Sequence, residues 1–61
     1  MIDKRAIIGD GAKIASNVKI DPYAIIGNNV EIGEGCWIGP HAVIEGHTKI
    51  GKNNKIFQFA S

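Results

Sequence analysis

Isoleucine occupies positions 2, 8, 14, 20, 26, 32, 38, 44, 50 and 56, every sixth residue without interruption. Two places before these stand compact residues, Ala6, Ala12, Val18, Ala24, Val30, Cys36, Ala42 and Thr48, with Asn54 the exception. Between them lie turn formers: Gly-Asp-Gly at 9–11, Asp-Pro-Tyr at 21–23, Gly-Asn-Asn at 27–29 and Gly-Glu-Gly at 33–35. Each unit therefore predicts a three-residue β-strand, such as Ala24-Ile25-Ile26, whose first and last side chains share one face while the middle one takes the other. A helix is excluded. Six residues advance a helix by about 600°, which scatters the isoleucines around its circumference, and so many glycines would weaken it. The pattern predicts a parallel β-helix built from hexapeptides.

These hexapeptides resemble the left-handed β-helix hexapeptide-repeat proteins, many of them acyltransferases. The resemblance implies an all-β, left-handed solenoid with three hexapeptides per triangular coil, although the general preference for right-handed crossovers points the other way. Residues three hexapeptides apart then stack at about 4.8 Å. The interior columns become Ile2/Ile20/Ile38/Ile56, Ile8/Ile26/Ile44 and Ile14/Ile32/Ile50. Corner columns Gly11/Asn29 and Asn17/Gly35/Asn53 hold residues that tolerate positive φ. His47 continues the first of these and is expected in a left-handed conformation. Pro22 and Pro40 take the third corner, just before Tyr23 and His41. Asn54 is a polar residue in an inward slot, where bonding to corner backbone groups is expected.

The outward residues make the three faces unlike one another. Lys13, Glu31 and Lys49 alternate in sign and suit solvent. Lys19, Trp37 and Lys55 form a second column, in which lysine stems and cation–π contact cover the indole. The third column, Ile7, Ile25 and Val43, is apolar and lies beside an edge column of Arg5, Tyr23, His41 and Phe59. An outward apolar stripe with aromatic flanks marks a contact surface. Those seven residues are the candidate oligomer interface. Members of the resembled family are trimers, so the expected partner is further copies of the chain, in a trimer through this face. Uncapped coil ends would also invite end-to-end pairing.

Composition narrows the remaining classes. Sixty-one residues allow one small domain, 1–61, expected to be a segment of a longer solenoid. Chains of this size are marginal without partners, metals or disulfides. A net charge of +1 with no basic block argues against a nucleic-acid surface. No apolar run approaches membrane-spanning length, and the Met-Ile-Asp-Lys-Arg start lacks the apolar core of a signal peptide. The lone cysteine, Cys36, allows no intrachain disulfide or multi-cysteine metal site and fits a reducing compartment, so a cytoplasmic location is expected. In its small inward slot Cys36 reads as a buried, inert thiol.

His41 and His47 hold the same slot in consecutive hexapeptides. They fall at different corners and cannot chelate one metal within a chain. Ser16 and Ser61 have no neighbouring base, and Asp10 and Glu34 are turn formers. Gly33 to Gly39 misplaces the third glycine of a dinucleotide fingerprint, and no helix follows. No catalytic, cofactor-binding or metal-ligating residue is expected.

A narrower resemblance rests on Gly46-His47-Thr48-Lys49-Ile50-Gly51 followed by Ile56-Phe57-Gln58-Phe59-Ala60-Ser61, with the solenoid starting directly at Met1-Ile2-Asp3-Lys4. These stretches are similar to the amino-terminal part of the UDP-N-acetylglucosamine O-acyltransferases that begin lipid A synthesis. The stretch before Ile20 is one hexapeptide shorter than in familiar members. The resemblance implies transfer of a 3-hydroxyacyl group from acyl carrier protein to the sugar 3-hydroxyl, with a histidine as general base and no metal or separate cofactor. The residues that bind acyl chain and UDP-sugar, and that histidine, match no position here. Acyl carrier protein and UDP-sugar are thus expected only as partners of a full-length enzyme, with this chain an inactive scaffold and trimer surface. The other reading is a truncated or engineered solenoid that self-assembles as a structural module.

Overall fold

Each hexapeptide delivers one short strand and one corner. The computed structural model describes residues 1–57. In chain order the strands are β1 (Ile7–Ile8), β2 (Lys13–Ile14), β3 (Lys19–Ile20), β4 (Ile25–Ile26), β5 (Val30–Ile32), β6 (Trp37–Ile38), β7 (Val43–Ile44), β8 (Thr48–Ile50) and β9 (Lys55–Ile56). Every third strand pairs, always in parallel, giving the sheets β1-β4-β7, β2-β5-β8 and β3-β6-β9. The register runs Ile7↔Ile25↔Val43, Lys13↔Glu31↔Lys49 and Lys19↔Trp37↔Lys55. A bridge from Ile2 to Ile20 carries the same register back to the start of the chain. The architecture is a left-handed parallel β-helix of about three coils.

Most strands are one residue shorter than the triplets predicted, with β5 and β8 keeping all three. The amides of Ala6, Ala12, Ala24, Val30 and Ala42 donate to the carbonyls of Asp3, Gly9, Asp21, Gly27 and Gly39, closing the corners before β1, β2, β4, β5 and β7. At β8 the Thr48 amide instead donates to Asn29 at 3.3 Å, and the Thr48 hydroxyl takes over the corner by donating to the Glu45 carbonyl at 3.0 Å.

The three corners divide by backbone geometry. Asn17, Gly35 and Asn53 have positive φ, as expected for that column. So do Tyr23 (66°) and His41 (62°), each directly after a proline. Proline at the second position of a four-residue turn and positive φ at the third is the type II pattern, closed here by Ala24 to Asp21 and Ala42 to Gly39. At both corners amides of left-handed residues bond to the coil below: Gly35 to Ser16, Asn53 to Glu34, and His41 to Pro22. The ladder thus continues around the bends. The remaining corner corrects the sequence reading, because Gly11, Asn29 and His47 do not have positive φ. Gly46 does, at 79°. The left-handed step there falls one residue earlier, on the residue with no Cβ to clash.

The core is the inside of the prism. Ile20, Ile26, Ile32, Ile38 and Ile44 are buried, as are the small-slot residues Val18, Ala24, Val30, Cys36 and Ala42. Burial falls toward both ends: Ile8, Ile14, Ile50 and Ile56 are partly covered, and Ile2 is 46% exposed. Stacked side chains need a neighbour on each side, and the end coils have one. Asn54 follows from the same fact. It is exposed on the last described coil rather than enclosed, and its carbonyl receives the Trp37 amide at 2.9 Å.

Candidate functional site

The sheet β1-β4-β7 turns an apolar stripe to solvent. Ile7 is 62% exposed and Val43 38%, while Ile25 between them is half-buried by its two column neighbours. Their inward neighbours Ile8, Ile26 and Ile44 already fill the prism, so period-two alternation forces these three outward.

One edge of the stripe is a stack. The Arg5 guanidinium carbon lies 5.7 Å from the Tyr23 ring centroid, and the Tyr23 and His41 rings stack at 5.3 Å with 20° between planes. The type II corners explain the alignment, since they repeat one backbone geometry one coil apart. Arg5 is tied down from the other side by Asp3, which accepts from its Nε at 3.1 Å, its Nη2 at 3.2 Å and its backbone amide at 2.8 Å. Those bonds from Arg5 hold the Asp3 carboxyl below its ordinary 3.8 and raise the guanidinium. Because the folded carboxyl is depressed, its contribution is present above the unfolded value and is lost as pH falls through the folded one. Phe59, expected to continue this column, lies outside the described residues.

The opposite edge was missed by sequence reasoning. Gly9, Gly27 and Glu45 follow β1, β4 and β7 directly, so two glycines and a carboxylate border the stripe. The signal was legible: each stands one place after a column isoleucine, where alternation returns the chain to the outer face.

The sheet β3-β6-β9 carries a second cluster. Trp37 is covered as expected, with Lys19 Nζ at 5.3 Å and Lys55 Nζ at 5.9 Å from its ring centroid. Its Nε1 also donates to Asp21 Oδ2 at 2.7 Å, and Phe57 meets it edge-on at 5.5 Å. Gly39 stands between Asp21 and Phe57 in their column, and a Cβ there would meet Phe57 and the Ile56 carbonyl. Trp37→Phe is expected to keep the packing but remove the indole donor from the poorly exposed Asp21 carboxylate, leaving it the Lys19 ammonium at 3.8 Å. We expect a loss of about 1–3 kcal/mol of unfolding free energy in urea titrations.

Cys36 is buried, with its thiol donating to the Gly51 carbonyl at 2.9 Å. His41 and His47 stand at different corners, before β7 and β8, which belong to different sheets. Among the described residues, no three His, Cys, Asp or Glu side chains come together at metal-holding spacing. A shallow groove of about 320 Å³ runs along the third face, floored by Ile14, Ile32 and Ile50 beside Lys13, Glu31 and Lys49. Its polar lining is the exposed Lys13, Glu31 and Lys49 column. The apolar stripe is the candidate site.

Comparison with known proteins matches the family described as bacterial transferase hexapeptide (six repeats) over residues 1–33 and 29–56. No curated protein matches the chain.

Proposed function

Because the chain belongs to the bacterial transferase hexapeptide family, we propose that it is the scaffold and trimerisation segment of an acyltransferase in which copies meet through the Ile7/Ile25/Val43 face. The observation that carries this reading is the asymmetry of the prism. Two faces present charged or lysine-covered columns, and one presents three apolar side chains in register. The reaction we assign to the complete enzyme moves a 3-hydroxyacyl group from acyl carrier protein to the 3-hydroxyl of UDP-N-acetylglucosamine. It rests on the likeness of residues 46–51 and 56–61 to the acyltransferases that begin lipid A synthesis. In that scheme this segment, a piece of a longer solenoid, contributes neither general base nor substrate contact, and it works where those enzymes work, in the cytoplasm.

Sedimentation of Ile25→Lys tests the face. A lysine at the centre of the stripe would leave an unpaired charge in a closed contact, which is strongly unfavourable. The expected result is a complete shift from trimer to monomer at micromolar concentration, with Glu31→Gln on another face unchanged. Unaltered assembly of Ile25→Lys would mean that another face makes the contact. The assignment of the reaction is tested by the encoding reading frame. It should continue from Ser61 into further hexapeptides carrying a histidine, and a stop codon there would favour the self-assembling module.

A further inference from the structure

A trimer through this face sets its copies with solenoid axes parallel, and within that arrangement we infer that Glu45 of one copy pairs with His41 of the next. The inference rests on the assembly reading above and adds a specific contact to it.

The face has three rows. From the lowest coil upward they read Arg5–Ile7–Gly9, Tyr23–Ile25–Gly27 and His41–Val43–Glu45. Both edges differ from each other, and each changes with height. In a ring of parallel copies with this face inward, the Tyr23 edge of one copy meets the Gly27 edge of the next at the same height. The Tyr23 ring, 52% exposed, then projects over a residue with no side chain to obstruct it. His41 meets the exposed Glu45, and Arg5 meets Gly9 with its charge already balanced by Asp3.

An antiparallel two-fold arrangement pairs like edge with like edge in reversed order. Tyr23 then opposes Tyr23, the basic Arg5 abuts His41, and Glu45 faces Gly9 with no cation. Among the described residues the ion pairs are Arg5 with Asp3 and Lys19 with Asp21, and neither involves Glu45. Electrostatic complementarity sets register and direction in an interface more than its bulk affinity. Here charge and shape choose the same direction. The left-handed backbone at Tyr23 and His41 fixes these two side chains on one edge, beside the stripe.

The test is sedimentation equilibrium on the full chain and four variants, each checked for folding by circular dichroism. Glu45→Lys should weaken assembly at least about tenfold, a loss of about 1.4 kcal/mol. The charge swap His41→Glu with Glu45→Lys should return it to within a few-fold of the parent. Ile25→Lys reports on the underlying reading: if it disperses the assembly while Glu45→Lys does not, the pairing is overturned and the interface stands. If Glu45→Lys weakens assembly and the swap fails to rescue it, the pairing is overturned as well. A parent chain that stays monomeric overturns both. Tyr23→Cys reports on direction, because spontaneous disulfide-linked dimers would place Tyr23 against its own copy and contradict parallel axes.

Discussion

Ile38→Ala is expected to lower the free energy of unfolding by about 2–5 kcal/mol, toward the upper end of that range. Ile38 is 0% exposed and stands between Ile20 and Ile56 in a strictly parallel register. A cavity at that site has walls that cannot close. The backbones above and below are tied by ladder bonds such as Lys19 to Cys36 at 2.9 Å and Trp37 to Asn54 at 2.9 Å. Small domains have only about 5–15 kcal/mol in total, and short ones sit at the low end. The substitution should therefore leave the chain close to unfolded at 25 °C, read as the loss of the cooperative transition in a urea titration followed by circular dichroism. Ile2→Ala provides the contrast. Ile2 is 46% exposed on the end coil, and its truncation should cost well under half as much.

Gly33→Ala comes next, although it adds only a methyl group. A Cβ there would lie 2.8 Å from the Gly51 carbonyl carbon, 2.9 Å from its oxygen and 3.0 Å from the Ile50 oxygen. All three are backbone atoms of the neighbouring coil, and none can rotate away. The coils would have to separate, stretching the bond from the Gly33 amide to the Ile50 carbonyl, now 2.9 Å. We expect a cost of about 1–3 kcal/mol, the usual range for overpacking. Gly51→Ala is the matched control, since its nearest neighbour is the Asn54 side-chain nitrogen at 3.6 Å. Equal effects of the two substitutions would mean that conformational freedom, rather than coil contact, explains Gly33. The same urea titration separates these cases.

The columns were legible in the sequence because they depend on period alone. Once the isoleucines recur every six residues, three hexapeptides per coil determine which residues stack, and Ile7, Ile25 and Val43 fall outward together. The corners were less legible. Composition marks Gly11, Asn29 and His47 as tolerant of positive φ, but tolerance is not requirement. The corner at Gly11 closes through a local amide bond from Ala12 to Gly9 without it. Tyr23 looks unsuited to a left-handed backbone and His41 only tolerant of it, yet the preceding prolines favour the turn whose third position needs it. Trp37 shows another limit. Its lysine neighbours follow from the column, whereas its bond to Asp21 is a side-chain choice that periodicity does not encode. At the chain ends the repeat also overstates burial, as Ile2 and Asn54 show, because pattern cannot tell a middle coil from a last one.

The site was legible as a surface and not as a contact. A stripe of exposed apolar residues is a property of one chain, while the contact proposed for it would belong to two. The glycine-and-glutamate edge became meaningful only when the register placed Gly9, Gly27 and Glu45 in one line opposite the Arg5, Tyr23 and His41 stack.

Spin labels on outward positions test the helical coil directly without disturbing the core. Lys13 and Glu31 are register partners on one face, so labels at those two sites should stand about one inter-strand spacing, roughly 4.8 Å, apart. Their electron paramagnetic resonance lines should broaden strongly when measured in a chain diluted with unlabelled protein. Labels at Lys13 and Lys19, one hexapeptide apart on different faces, should stay sharp. Broadening of the second pair with sharp lines from the first would contradict the three-sided coil.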